Sequence, residues 1–238
     1  MKFVNECVLD NAMYQTVPFA HTVIDDFLQR EPLQHIFKEV NDLKNEQAHD
    51  YYTNPKWPYE YNKFGFESHS GEFLSELFTE LNSNEFIEKI ERLTGIYGLI
   101  RNDTRLKGAG VHRITKGGYL GVHTDFNSYY KDGVKLDRRI NLLIYLNPQW
   151  KEEYNGQLWL CDKNSHRCVK KVLPLINRCV IFNTTSKSLH GHPEPLNVPD
   201  NIRRQSIAVY YYTENKTGEV DFEGEKEHPT LWYDNIQH

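Results

Sequence analysis

Long apolar runs are missing from this 238-residue sequence: no stretch of about 18 residues could cross a bilayer. The start, MKFVNECVLDNAM, has no extended apolar segment and does not read as a signal peptide. Cysteine is scarce, at four residues, and Cys7, Cys161, Cys168 and Cys179 show neither CxxC spacing nor the density of a disulfide scaffold. They are expected to be reduced thiols, which places the chain in the cytoplasm. A strong charge of either sign is also absent. The net charge of −5 disfavours a protein-wide basic surface for nucleic acid. The glycine clusters at 108–110 and 116–118 match neither GxGxxG nor GxxxxGK, so they are assigned to turns and no nucleotide-binding loop is expected. No repeat, linker or low-complexity tract divides the chain, which is expected to be one domain over 1–238.

What is present is aromatic and strand-rich. Fifteen Tyr and twelve Phe favour sheets and packed loops. The stretch VPFAHTVIDDFLQ reads as an opening strand. In the next segment Leu33, Ile36, Phe37, Val40 and Leu43 fall at helical spacing. Residues 50–68, rich in Tyr, Asn and Pro, read as a long covering loop or lid. Gly71–Leu81 and Asn84–Thr94 have helical patterning, the second closing at Gly95. After Gly108 the period changes to short runs of alternating apolar residues: AGVHRIT, RRINLLIYLN, QLWLCD, CVKKVLP, RCVIFNT and RQSIAVYYYT. Mainly helical support over 17–107, followed by a strand-built core over 108–213, predicts an α+β fold with an antiparallel double sheet. The tail from Asn215 onward carries no clear pattern.

Within KGGYLGVHTDFN, His123 and Asp125 stand two apart, so in extended chain an imidazole and a carboxylate point to one face. Taken alone the pair is weak, because eleven histidines make a chance surface His–Asp neighbour easy. A distant histidine would complete a 2-His-1-carboxylate metal site with open positions for a chelating cosubstrate and dioxygen. The SLHGHP segment offers His190 and His192. His190 is favoured because it lies nearer the end of a strand, and His192 reads as a rim residue or substrate contact. A chelating cosubstrate with a remote carboxylate needs a deep cation, and a guanidinium grips both oxygens. Arg204 shares a strand face with Ser206, Ala208 and Tyr210, while Ile207, Val209 and Tyr211 form the packing face. Tyr145 could donate to the same carboxylate. Surface charge and core packing are the bland readings of these two, and Arg138 and Arg139 are rival cations.

These residues resemble the prolyl-hydroxylase-like 2-oxoglutarate and Fe(II) dependent dioxygenases over about 108–213. His123 and Asp125 match the His-x-Asp of that family. Tyr145, Leu146, Asn147 and Trp150 match its YLN-x-x-W strand, NGQLWLCD its glycine-led strand, His190 its distal histidine and Arg204 its basic cosubstrate residue. The resemblance implies a double-stranded β-helix (jelly roll, cupin-like), with Fe(II) held by His123, Asp125 and His190. It further implies 2-oxoglutarate on Arg204 and Tyr145, dioxygen as the second cosubstrate, and hydroxylation of a small-molecule or peptidyl substrate, possibly a prolyl residue, releasing succinate and CO2. Desaturation or cyclisation would share the hydrogen abstraction. A cupin-like zinc hydrolase or a noncatalytic binding module are the rivals from other classes. Asp125 argues against a halogenase. Two departures stand out: Arg204 lies fourteen residues after His190, and His112 and Arg113 occupy the place of a pocket tyrosine, either of them able to touch cosubstrate or substrate.

Overall fold

The computed structural model describes residues 1–105, 107–216 and 218–237. Its elements run α1 (Glu6–Asp10), β1 (His21–Ile24), α2 (Arg30–Asp42), β2 (Asp50–Tyr52), β3 (Glu60–Glu67), α3 (Glu72–Leu81), α4 (Asn84–Thr94), β4 (Gly110–Thr124), β5 (Ser128–Lys131), β6 (Val134–Tyr145), β7 (Leu158–Asp162), β8 (Arg167–Val172), β9 (Cys179–Asn183), β10 (Leu189–His192), β11 (Arg204–Glu214) and β12 (Leu231–Trp232). The strands form one curled antiparallel system in the order β1-β9-β6-β11-β4-β10-β7-β8, with β3 and β12 also paired to β4. This is the antiparallel core that the alternating runs imply, in the jelly-roll-like form that the resemblance implies.

The helices close one face of the curl. Ser83 caps α4, its hydroxyl accepting the Phe86 N–H at 3.2 Å, and Gly95 ends that helix at φ 72°, a conformation glycine adopts without a Cβ clash. Ile36, Val40, Leu74, Leu77, Phe78, Ile87 and Ile90 bury against Ile140, Leu142, Ile144, Ile181, Ile207, Val209 and Tyr211. Burial of these side chains contributes about 1.5–3 kcal/mol each relative to exposure. Residues of the opposite parity, including Asn141, Tyr145, Arg204 and Ser206, turn inward. The strand period therefore separates the packing face from the pocket face.

Three segments differ from the sequence expectation. The KGG run at 116–118 is a kink inside β4 rather than a turn. Before it β4 pairs with β11 (Ile114↔Arg204), and after it with β10 (His123↔His190). Residues 50–68 are not a loop: β2 and β3 form a hairpin whose long strand pairs with β4 from Glu67↔Gly110 to Glu60↔Leu120. The patternless tail folds back as a strap, with Trp232 opposite His123 and the Tyr233 N–H donating to the Val122 carbonyl at 2.9 Å.

Candidate metal centre and cosubstrate pocket

The two halves of β4 are what bring the site together. His123 sits near the end of the second half, directly opposite His190 on β10, and the imidazole centroids are 4.4 Å apart. Asp125 is the first residue but one beyond His123, just past the strand end. The ligand-capable atoms of His123, Asp125 and His190 lie within 4.8 Å of one another, and all three residues are buried. Each histidine directs Nδ1 at a main-chain carbonyl two residues upstream, Gly121 for His123 and Ser188 for His190, both at 2.9 Å. A carbonyl only accepts, so Nδ1 carries the hydrogen and Nε2 is the free base turned to the centre. Burial pushes the His190 imidazole down to about 4, so the ring is neutral and ready to donate its lone pair at neutral pH.

Asp125 is held by its second oxygen. The Asn141 amide donates to Oδ2 at 2.7 Å and the Arg138 guanidinium approaches it at 3.1 Å. The other oxygen, Oδ1, faces His123 Nε2 at 3.5 Å. Burial alone would raise the Asp125 carboxyl, but the Arg138 guanidinium beside it more than offsets this and holds the group well below its usual range. Arg138 is itself fixed, its guanidinium 3.7 Å from the Tyr210 ring centre and donating to the Asn141 side-chain carbonyl. Asn141 thus accepts from Arg138 and donates to Asp125, which leaves one carboxylate oxygen for a metal.

A cavity of about 350 Å³ opens beside this centre, lined among others by His112, His192, Arg204, Ser206, Tyr210 and Trp232. At its depth the Arg204 guanidinium donates from Nε to the Gly156 carbonyl at 2.7 Å and lies 3.4 Å from the Tyr145 hydroxyl. Burial lowers the Arg204 pKa, and among the described residues no carboxylate pairs with it. A buried guanidinium without a counter-charge calls for an anion from outside. His192 adds a second unmet demand: among the described residues neither ring nitrogen has a hydrogen-bond partner, although the residue is only 2% exposed. The donor set, the uncompensated cation and the orphaned imidazole together fit a ferrous ion with a dicarboxylate chelator.

The four remaining candidates separate cleanly. His112 lines the cavity. Arg113 turns the other way, is fully buried, and caps α2 by donating to the carbonyls of Val40 at 2.7 Å and Leu43 at 2.8 Å. Arg138 grips Asp125 rather than sitting beside Tyr145. Arg139 points outward onto Phe222, 3.8 Å from its ring centre. Sequence reasoning missed the Asn141 and Arg138 clamp and also missed Trp232, whose ring lies 4.9 Å from both His123 and the stacked Tyr59. The inward parity that Asn141 shares with Tyr145 was a signal for the first, whereas nothing local marks the last.

A family model described as the 2OG-Fe(II) oxygenase superfamily matches residues 109–212. Prolyl 3-hydroxylase OGFOD1 of Mus musculus is 33% identical over 79 residues, which are 32% of this chain and 14% of that protein, so the chain spans only a small part of this relative's length. Among solved structures, a Pseudomonas putida prolyl-4-hydroxylase superposes with a TM-score of 0.58 at 16% identity, covering 87% of this chain and 97% of that one. A Trichoplax adhaerens prolyl hydroxylase in complex with a hypoxia inducible factor peptide fragment gives 0.58 at 19% identity, covering 82% and 83%. HygX of Streptomyces hygroscopicus with nickel and 2-oxoglutarate bound gives 0.55 at 14% identity, covering 89% and 92%. At these identities the structural likeness is one of fold.

Proposed function

This chain belongs, through residues 109–212, to the 2OG-Fe(II) oxygenase superfamily, and from that membership and its pocket we propose that it hydroxylates an unactivated C–H bond of a prolyl residue in a peptide. Bound iron(II) would supply the oxidising chemistry, with one oxygen atom of dioxygen entering the substrate and the other the succinate that 2-oxoglutarate yields along with CO2. His123 and His190 would hold the metal through Nε2 and Asp125 through the oxygen not engaged by Asn141 and Arg138. Arg204 would receive the far carboxylate of 2-oxoglutarate, with the Tyr145 hydroxyl donating to the same group. Fixing that end orients the chelating end toward the three ligands. Trp232 and the β3 residues Glu60 and Lys63 line the same cavity.

The single observation that carries the cosubstrate is the buried, uncompensated Arg204 behind a His-Asp-His cluster. A zinc hydrolase has no need of that cation, and neither does a retired fold serving only as a binding module. The prolyl residue is supported by relatives whose names specify prolyl hydroxylation. The test is succinate release from iron-loaded protein with 2-oxoglutarate and proline-containing peptides, with product mass as the second readout. Succinate formed in step with a peptide gain of one oxygen supports the reading. Peptide hydrolysis with zinc and no 2-oxoglutarate consumed would overturn it. Succinate production coupled to a substrate without proline would keep the oxygenase and remove the prolyl assignment.

A further inference from the structure

Away from the pocket, the β7–β8 hairpin places two cysteines opposite each other. Cys161 on β7 and Cys168 on β8 are direct antiparallel partners, joined by a turn over 163–166. Opposed Cα atoms in an antiparallel ladder are about 4.5–5.5 Å apart, which lies inside the range of about 4.4–6.8 Å that a disulfide spans. A register irregularity lies between Leu160 and Cys161, so the ladder at this pair is not held to ideal pleating. Both thiols are free.

The two sulfurs are chemically unequal. Cys161 is fully buried, and its thiol is pushed up by the Cys168 thiol opposite it and by burial. Cys168 is half-buried and its thiol donates to the Lys170 carbonyl at 3.6 Å; the Cys161 thiol opposite it, with Lys171, brings its pKa down. A partly exposed thiol directly opposite a fully buried one is the arrangement of an attacking and a resolving cysteine. Cys7, exposed and with no opposed cysteine, offers an internal comparison.

The pair also lies under the C-terminal strap. The Cys168 N–H donates to the Gln237 carbonyl at 2.8 Å, and Tyr233, Ile236 and Cys168 pack on the cluster of Val122, Trp159, Cys161 and Leu189. Cys161 is opposite Leu189, the neighbour of His190. The hairpin is therefore the seat on which the strap rests after it has passed Trp232.

We propose that Cys161 and Cys168 are a reversible dithiol–disulfide site that a low-molecular-weight disulfide oxidises, locking the hairpin beneath the strap. The Cys168 thiolate attacks one sulfur of glutathione disulfide, whose S–S bond breaks and releases one glutathione thiolate. Cys161 then gives up its proton, which the released thiolate takes, and its sulfur attacks the Cys168 sulfur of the mixed disulfide. The second glutathione leaves as the Cys161–Cys168 bond forms, so two electrons pass from the protein to glutathione.

The test uses the iron-loaded full chain in glutathione buffers of increasing oxidised fraction, with alkylation of free thiols after unfolding and peptide mass mapping. The expected product is a single Cys161–Cys168 link, about 2 Da lighter than the dithiol, reversed by excess reduced glutathione. Cys161→Ser should stop at a glutathione adduct held on Cys168, and Cys168→Ser should leave Cys161 unmodified. Oxidation confined to Cys7, with Cys161 and Cys168 still alkylated, overturns the proposal. So does a lasting adduct on Cys168 in the unsubstituted chain. Amide exchange over 231–237 should slow in the oxidised form, and unchanged exchange there would overturn the coupling to the strap.

Discussion

At the scale of single residues, the metal centre depends on side chains that never touch a metal. Asp125 presents one oxygen to the centre because Asn141 and Arg138 occupy the other. Asn141→Ala removes the shorter of those bonds and also the acceptor that fixes Arg138, so the carboxylate gains freedom to rotate or to pair wholly with the guanidinium. Removing such an outer partner typically weakens metal binding about 10–100-fold. Competition with a chelator on the folded variant should show a loss in that range, and unchanged iron affinity would refute the clamp. Arg204→Ala deletes the deep cation while leaving the three ligands in place. Loss of one partner from a buried charge pair costs about 2–5 kcal/mol, about 30-fold or more in affinity. The half-saturating 2-oxoglutarate concentration should rise by at least that factor with iron binding preserved, and a weakened metal affinity with normal cosubstrate binding would reverse the assignment.

At the scale of elements, the distance between β4 and β10 sets whether two imidazoles can share an ion. Gly191 lies between His190 and His192, and a Cβ there would fall 2.5 Å from the Gly121 carbonyl oxygen and 2.9 Å from the Val122 Cα. Both obstacles are backbone, so Gly191→Ala must push the strands apart. The expected result is a folded protein of lower stability whose iron affinity drops about tenfold or more, read by chelator competition alongside thermal unfolding. A variant with native affinity would mean that the pair tolerates the wider spacing. Strand irregularity also explains a residue that simple alternation misassigns. Counting back by twos from Tyr145 through Leu143 and Asn141 brings Arg139 into the pocket. A bulge opposite Tyr211 and Tyr212 skips Arg139, so Arg138 turns inward and Arg139 outward.

At the scale of the whole molecule, the pocket keeps several histidines neutral. Burial holds His190 down to about 4, His112 down to about 3, and His192 well below its ordinary value. In the unfolded chain these rings protonate near about 6.5. Between that pH and the lower folded values the unfolded state binds more protons, so stability falls as the pH falls. Each fully suppressed ring contributes up to about 1.4 kcal/mol per pH unit to this slope. Thermal unfolding of metal-free protein should show a midpoint that drops steadily from pH 7 to pH 5. His192→Gln should flatten the slope, and an unchanged pH dependence would show that this ring is not held neutral by folding.

Much of this was legible in the chain itself. Period-two alternation marked Ile207, Val209 and Tyr211 as the packing face of β11, because a strand offers only two faces and the apolar one must be buried. Spacing alone put His123 and Asp125 on a common side, and the small residues beside Arg204 marked its face of β11 as the open one. Tertiary structure decided the rest. The bulge that exchanges Arg138 for Arg139, the hairpin that replaces a loop at 50–68, and the return of Trp232 to His123 all depend on which strand lies opposite. Pairing partners are chosen by contacts across tens of residues, and no local pattern encodes them.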